Sequence, residues 1–395
     1  MSVPEYAFDR VPFHLYWRET SSFKETYGGA VDQVLVEGQY LRPITTGPNP
    51  APSCRSVVIF MHPTGVMNLL PMTNAMAAAG IPTICAASRY PHNDSGLIME
   101  KVAADLGAYV RYAREKLGFE KVVLAGWSGG GSLSLFYQAQ AEHPSLTHTP
   151  AGDEFDLTQA NLIPADGVMQ LAAHVSRAIT LTEWIDASIL DENNPNHRDP
   201  ELDLYGDLVE PPYSQAFLDR YRAAQIARSA RIDAWVQTEL EALKHNPRGE
   251  MERAFVVHGT MADPRWLDPM VDPNDRQGPN WCYMGVPSVV NMSPAGLARY
   301  SSLRSWLSQW SFSHSRADGP RCAGQISVPV LVIENSADDA CTPSHTRRIF
   351  EGVGHGDKEI QVIQGASHYY LGQPDKMAKS VAACLDWMQR KGFVS

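Results

Sequence analysis

Short, continuous apolar runs alternate along the chain with longer segments whose apolar residues recur at helical spacing. In the segment 98–116, for example, Val102, Leu106 and Val110 fall on one face of a helix. Continuous apolar runs are typical of strands that are buried on both faces of a parallel sheet. The runs that predict the first strands are 12–17, 32–37, 56–61, 81–86, 121–125 and 166–171. We therefore predict an α/β fold with a mostly parallel central sheet flanked by helices.

The seventh predicted strand, 328–333, begins much later than an ordinary loop of an α/β unit would allow. The intervening segment contains a helical pattern at 214–244 and many aromatic residues. We interpret it as a large, mainly helical cap inserted after the sixth strand, with a second independent domain as the alternative. The predicted parts are core 1–174, cap 175–295 and core 296–395, with 295–320 as a helix that returns to the sheet.

The strongest local signal for chemistry is the sequence Gly-Trp-Ser-Gly-Gly at 126–130, which directly follows the fifth predicted strand. A strand that ends in small-x-Ser-x-small and continues into a helix makes a sharp turn that exposes the serine side chain. Small residues are needed at Gly126 and Gly130 because a Cβ there would collide across the turn. The helix predicted at 131–140 directs its positive end at this turn. The pattern predicts that Ser128 is a nucleophile.

A nucleophilic serine needs a base, and the base needs an acid that orients it. Asp338 and Asp339 lie in the turn after the seventh predicted strand, and His368 follows an eighth at 359–364. The spacing from Asp338 to His368 leaves room for one helix and one strand. Because ligands bind at the carboxyl ends of the strands in such sheets, we expect these side chains near Ser128.

These three motifs together resemble the α/β-hydrolase superfamily, and the resemblance covers most of the chain. In that family the nucleophile follows the fifth strand, the acid the seventh and the histidine the eighth. The resemblance implies that Ser128 is the nucleophile, that His368 is the general base and later the acid, and that one of the two aspartates orients His368.

Two ways of counting along the acid turn give different aspartates. Three residues after Asn335, at the strand end, lies Asp338, whereas four residues before Pro343 lies Asp339. In the usual family pattern both counts reach the same residue. Here they reach adjacent residues, so this turn is one residue longer than usual. We favour Asp338 because its distance from the strand end determines its reach more directly.

The third predicted strand leads into His62, Pro63, Thr64 and Gly65, where the family usually has glycine after the histidine. The resemblance implies that backbone N–H groups beyond the histidine bind the oxyanion. Proline has no N–H to donate, so the predicted donor is the N–H of Thr64, with Gly65 as the alternative. The N–H of Gly129 is the second predicted donor. We expect His62 itself to hold the loop through hydrogen bonds.

Three residues are predicted to bind the substrate. His174 directly follows the sixth strand and therefore points toward the same edge of the sheet. Trp184 lies shortly after it, where the chain leaves the sheet, and Trp127 adjoins the nucleophile. Together with the other aromatic residues of the predicted cap, they indicate an apolar pocket lined by rings.

Composition restricts the classes of partner. The 395 residues carry a formal charge of −11 and no basic stripe, which disfavours nucleic acid. No apolar stretch approaches the length of a membrane helix, and the first residues lack the features of a secretory signal, so we expect a cytoplasmic protein. The six cysteines lack metal-ligand spacing, so no metal is predicted, although Cys341 lies in the acid turn. We expect no other cofactor, since a serine, a histidine and an aspartate can supply the proton and acyl chemistry. A homo-oligomer is compatible with the sequence.

The sequence therefore predicts a serine hydrolase that cleaves a carboxylic ester or lactone of a bulky apolar small molecule through an acyl-enzyme. The whole chain also resembles, more faintly, bacterial lactonases that open the macrocyclic lactone zearalenone. The same triad supports hydrolysis of carbon–carbon or amide bonds and acyl transfer, and these alternatives stay open. A ligand-binding receptor on the same scaffold is the non-enzymatic alternative.

Overall fold

The computed structural model describes residues 5–19, 32–246 and 249–394. Its strands are β1 (Phe8–Arg18), β2 (Gln33–Pro43), β3 (Ser56–Met61), β4 (Thr83–Ala86), β5 (Lys121–Ser128), β6 (Gly167–Ala173), β7 (Ala254–Val256), β8 (Tyr300–Ser302), β9 (Val330–Asn335) and β10 (Lys358–Ile363). Its helices are α1 (Pro71–Ala78), α2 (Met99–Glu115), α3 (Gly130–Glu142), α4 (Arg177–Trp184), α5 (Gln215–Lys244), α6 (Pro264–Leu267), α7 (Pro287–Val290), α8 (Leu303–Ser305), α9 (Gly319–Ala323), α10 (Pro343–Gly352) and α11 (Pro374–Arg390).

Eight strands form one sheet in the order β1-β2-β4-β3-β5-β6-β9-β10. Only the pairs β1–β2 and β2–β4 are antiparallel, and the remaining neighbours are parallel. The sheet confirms the predicted fold and the α/β-hydrolase architecture that the motifs implied. Because β3, β5, β6, β9 and β10 run in one direction, their carboxyl ends lie along the same edge, where all the predicted site segments begin.

Helices cover both faces of the sheet. Successive side chains of β3 alternate between two hydrophobic clusters, with Val57 and Ile59 in one and Val58 and Phe60 in the other. Helices α2 and α3 pack against the sheet in the first cluster, and helices α1 and α11 pack against it in the second. The central strands are thus buried on both faces, which explains their continuous apolar runs.

Helices supply most of the regular secondary structure in the segment between β6 and β9, although more than half of its residues are irregular, and its longest element is the 30-residue helix α5. A third hydrophobic cluster packs α5, through Ile232 and Val236, against Leu181 of α4 and against Trp306 and Trp310. This cluster extends past residue 295, and the limits predicted for the cap stay a prediction. None of the described helices is both long enough and apolar enough to cross a membrane.

The return from this segment to the sheet differs from the single helix predicted at 295–320. Helix α8 continues as a π-helical turn through Trp310 and ends there, and α9 begins only at Gly319. Pro320 lies in the first turn of α9, where its missing N–H is tolerated but would interrupt a helix arriving from upstream. The antiparallel pair β7–β8 is a further element that the sequence pattern did not predict.

Candidate active site

The turn at Ser128 joins β5 directly to α3 and is held by close backbone contacts. Ser128 has a φ of 50°, a left-handed conformation that side chains other than glycine rarely adopt. A Cβ built on Gly126 would lie 2.6 Å from Gly131 Cα, and one built on Gly130 would lie 2.2 Å from the Met61 carbonyl oxygen. Only glycine fits at these two positions, as the sequence pattern indicated. The sheet therefore holds Ser128 in a strained turn beside the end of β3.

His368 and Asp338 form a buried hydrogen-bonded pair on the loops after β10 and β9. His368 Nδ1 donates to Asp338 Oδ2 at 2.7 Å, and the other carboxylate oxygen accepts the amide N–H groups of Ala340 and Cys341, each at 2.8 Å. The two loops are also joined by Asn335 Nδ2, which donates to the carbonyl of Ser367 at 3.0 Å. Three hydrogen bonds thus fix the carboxylate, which leaves His368 Nε2 as the ring nitrogen without a bond to the acid.

Of the two aspartates that the sequence left open, Asp338 is the one that contacts His368. Burial by itself would lower the pKa of His368, but the charge of Asp338 and its hydrogen bond raise that pKa above the ordinary value of 6.5. Among the described residues the Asp339 carboxylate makes no hydrogen bond to His368, and its burial together with the charge of Asp338 raises its pKa to about 6. The extra residue of the acid turn therefore lies after Asp338.

Ser128 and His368 line the same cavity, but the described part of the chain contains no hydrogen bond between their side chains. The neighbour of the Ser128 hydroxyl is Cys341, which is within hydrogen-bonding reach of it. Burial and the charges of Asp338 and Asp339 raise the pKa of the Cys341 thiol well above its ordinary value, so it stays protonated.

Asp338, Cys341 and His368 each have one atom that could ligate a metal ion, and these three atoms lie within 4.8 Å of one another. The trio does not fit a metal ion. Both oxygens of Asp338 already accept hydrogen bonds, and His368 Nδ1 uses its proton to donate one of them. Burial and the charges of Asp338 and Asp339 also disfavour the Cys341 thiolate that a metal ion would need as a ligand.

The loop after β3 folds back on the His62 ring. The amide N–H groups of Thr64 and Gly65 donate to His62 Nδ1 at 3.2 and 2.7 Å. The Thr64 hydroxyl donates to the carbonyl of Tyr90 at 3.1 Å. His62 thus holds the loop, as expected, but it does so with the two amides predicted as oxyanion donors. Neither amide is free here, which leaves the N–H of Gly129 as the remaining predicted donor.

A cavity of about 480 Å³ opens above Ser128. His62, His174 and His368 line it from the core, and Arg177, Tyr283 and Trp310 are among the residues that line it from the segment after β6. Arg177 pairs with Asp94 at 2.5 Å and lies over the Trp310 ring at 4.2 Å. The wall therefore mixes charged, polar and aromatic groups, which differs from the apolar, ring-lined pocket that the sequence predicted.

Of the three residues predicted to bind substrate, one lines the cavity and two do not. His174 lines the cavity, and burial together with the charges of His345 and His368 lowers its pKa well below the ordinary value, so its ring is neutral. Trp184 packs behind His174 at 5.5 Å between ring centroids, and Trp127 lies 5.9 Å from the His368 ring. Neither tryptophan lines the cavity. Both are buried, and Trp127 belongs to the second hydrophobic cluster of the sheet.

Sequence reasoning missed the residues that hold the acid turn from the other side. Trp266 Nε1 donates to the carbonyl of Asp339, and Asn274 Nδ2 donates to the carbonyl of Asp338, both at 2.7 Å. It also missed Arg177, a charged residue right after the end of β6. The position of Arg177, three residues after His174, was the one signal in the sequence that could have indicated it. The contacts of Trp266 and Asn274 with the acid turn each span more than sixty residues, so no local pattern could have indicated them.

The sequence matches no family model and no curated protein. The fold is similar to that of DcsB, solved with a substrate analogue, at 13% identity over 98% of this chain and 100% of that one, with a TM-score of 0.49. Est1E from Butyrivibrio proteoclasticus covers 90% of this chain and 96% of its own at 13% identity (TM-score 0.43). The monoacylglycerol lipase of Paleococcus ferrophilus covers 90% and 99% at 16% identity (TM-score 0.43).

The pairing of His368 with Asp338 can be tested without any substrate. Replacing Asp338 with Asn removes the charge that raises the pKa of His368, so that pKa should fall, and Asp339→Asn should lower it much less. NMR titration of the histidine ring protons in both variants measures the difference. A larger fall in Asp339→Asn would contradict the assignment.

Proposed function

We propose that this protein, an α/β-hydrolase by fold, is a serine hydrolase that cleaves carboxylic esters or lactones through an acyl-enzyme. The observation that carries the proposal is the buried 2.7 Å hydrogen bond between His368 and Asp338, in a cavity shared with Ser128 on its strained turn. A serine, a base and an orienting acid on three loops at one sheet edge are the groups that acyl transfer requires.

In the proposed reaction His368 Nε2 takes the proton of Ser128 as the serine oxygen attacks the carbonyl carbon. The imidazolium that forms is stabilised by the charge of Asp338, which also keeps the ring in the tautomer that can accept this proton. Collapse of the tetrahedral intermediate expels the alcohol, which leaves with the proton from His368. Water then gives its proton to His368 and attacks the acyl carbon, and Ser128 recovers its proton as the acid is released.

The proposed substrate is a bulky ester or lactone, with a macrocyclic lactone such as zearalenone as one specific candidate. A cavity of about 480 Å³ is within the range of sites for ligands of drug size. The aromatic side chains of Tyr283 and Trp310 in the cavity wall favour an apolar ring, and the Arg177–Asp94 pair favours polar groups on the same substrate. A panel of aryl esters, macrocyclic lactones, amides and vinylogous diketones distinguishes ester cleavage from amide or carbon–carbon cleavage.

The serine mechanism predicts that Ser128→Ala lowers kcat by at least about 10³-fold, because it removes the nucleophile. Ser132→Ala is the matched control. The Ser132 hydroxyl is buried in α3 with no hydrogen-bond partner among the described residues, so its loss should leave kcat unchanged. Hydrolysis of a p-nitrophenyl ester measures both, and mass spectrometry after fluorophosphonate treatment should place the label on Ser128. Retention of a few percent of the activity by Ser128→Ala would exclude this mechanism.

The pH profile should report the titration of His368. Protonated imidazole cannot accept the proton of Ser128, so kcat/KM should rise with pH and level off once the pH exceeds the pKa of His368. Since Asp338 raises that pKa, the midpoint should lie above 6.5. Asp339, with a pKa of about 6, is the other group that titrates nearby. Asp339→Asn should therefore keep the midpoint, and a midpoint that disappears in this variant would assign the profile to Asp339.

A further inference from the structure

The oxyanion pocket of this chain has fewer backbone donors than acyl transfer needs. Pro63 has no N–H, and the amides of Thr64 and Gly65 both donate to His62 Nδ1. The N–H of Gly129 is left as a single donor. Developing charge on the carbonyl oxygen is normally stabilised by preorganised donors from more than one group, each of which raises the rate by about 10²–10³. A second donor should therefore be present beside Gly129.

The hydrogen bonds of His62 determine which of its ring nitrogens carries a proton. Nδ1 accepts two amide N–H groups, so it cannot itself be protonated. Burial, followed by the positive charges of Arg177 and His368, lowers the pKa of His62 to about 3. The ring is thus neutral near pH 7. Its one proton is on Nε2.

His62 Nε2 lies directly against the Gly129 backbone. A Cβ built on Gly129 would be 2.6 Å from Nε2, closer than real Cβ contacts come, so glycine at this position leaves room for the imidazole edge. His62, Gly129, Ser128 and His368 all line the same cavity. Among the described residues no protein acceptor binds the Nε2–H group, and the nitrogen is not fully buried. This donor therefore faces the cavity.

We propose that the Nε2–H of His62 is a donor of the oxyanion hole, acting with the N–H of Gly129 in place of the donor that Pro63 lacks. This inference rests on the proposed acyl-transfer function. As Ser128 attacks, the carbonyl oxygen becomes negative and accepts hydrogen bonds from both groups. The His62 proton stays on Nε2 throughout, so His62 stabilises charge and exchanges no proton. Its ring has two tasks, because Nδ1 holds the loop while Nε2 binds the oxyanion.

Two substitutions separate these tasks. In His62→Asn the side-chain oxygen can take the place of Nδ1 and keep the loop bonds, but nothing reaches the position of Nε2. In His62→Gln the amide NH₂ reaches that position, while the loop acceptor is lost. We expect kcat to fall about 10²–10³-fold in His62→Asn with little change in KM, and to fall less in His62→Gln. His143→Asn, an exposed histidine at the end of α3, is the control and should leave kcat unchanged.

Binding of a trifluoromethyl ketone that mimics the tetrahedral intermediate should weaken in His62→Asn by the same factor as kcat/KM. Nitrogen-15 NMR of the wild-type protein gives a test that needs no variant, because it distinguishes the Nε2–H from the Nδ1–H tautomer. An Nδ1–H tautomer would overturn the proposal, and so would wild-type kcat in a folded His62→Asn protein. If the wild-type protein neither hydrolyses esters nor reacts with a fluorophosphonate, the proposed function is wrong, and this inference with it.

Discussion

The close approach between the Ser128 turn and the end of β3 is the constraint on which the site depends. Gly130 lies against the carbonyl of Met61, and Gly129 lies against the ring of His62, with no space for a side chain at either contact. The positive φ of Ser128 is strained by about 1–3 kcal/mol, and the buried parallel strands on either side hold it. Because two neighbouring strands end in contact with each other, Ser128 and the loop that begins at His62 share one small volume.

The turn that carries Asp338 is held by hydrogen bonds within the turn and by hydrogen bonds from residues far along the chain. Asp338 accepts two amides of its own turn, while Trp266 and Asn274 bind the carbonyls of the same turn from the segment after β6. Nearby, Glu183 of α4 accepts hydrogen bonds from Arg265 and from Arg348 of α10, each at 2.7 Å. Buried charges of this kind are stable only when fully paired, so the segment after β6 and the sheet are held in one arrangement around the site.

The chemistry of the cavity follows from which groups stay neutral. Burial keeps His62 and His174 uncharged, whereas Asp338 raises the pKa of His368 alone among these three. One histidine is therefore equipped to exchange a proton near neutral pH, and the other two can offer only hydrogen bonds and shape. The Arg177–Asp94 ion pair adds a polar group to the cavity wall.

The sequence by itself determined where the strands of the main sheet lie along the chain, the sharp turn at Ser128 and the loops that carry Asp338 and His368. These features depend on local sterics and on hydrophobic periodicity, which neighbouring residues encode completely. The tertiary structure decided that Asp338 rather than Asp339 meets His368, that the Thr64 amide turns to His62, and that Trp310 rather than Trp184 lines the cavity. Each of these outcomes depends on a contact with residues far along the chain or on the rotation of one peptide group. The spacing of residues in the sequence constrains neither the long-range contacts nor the rotation of a peptide group.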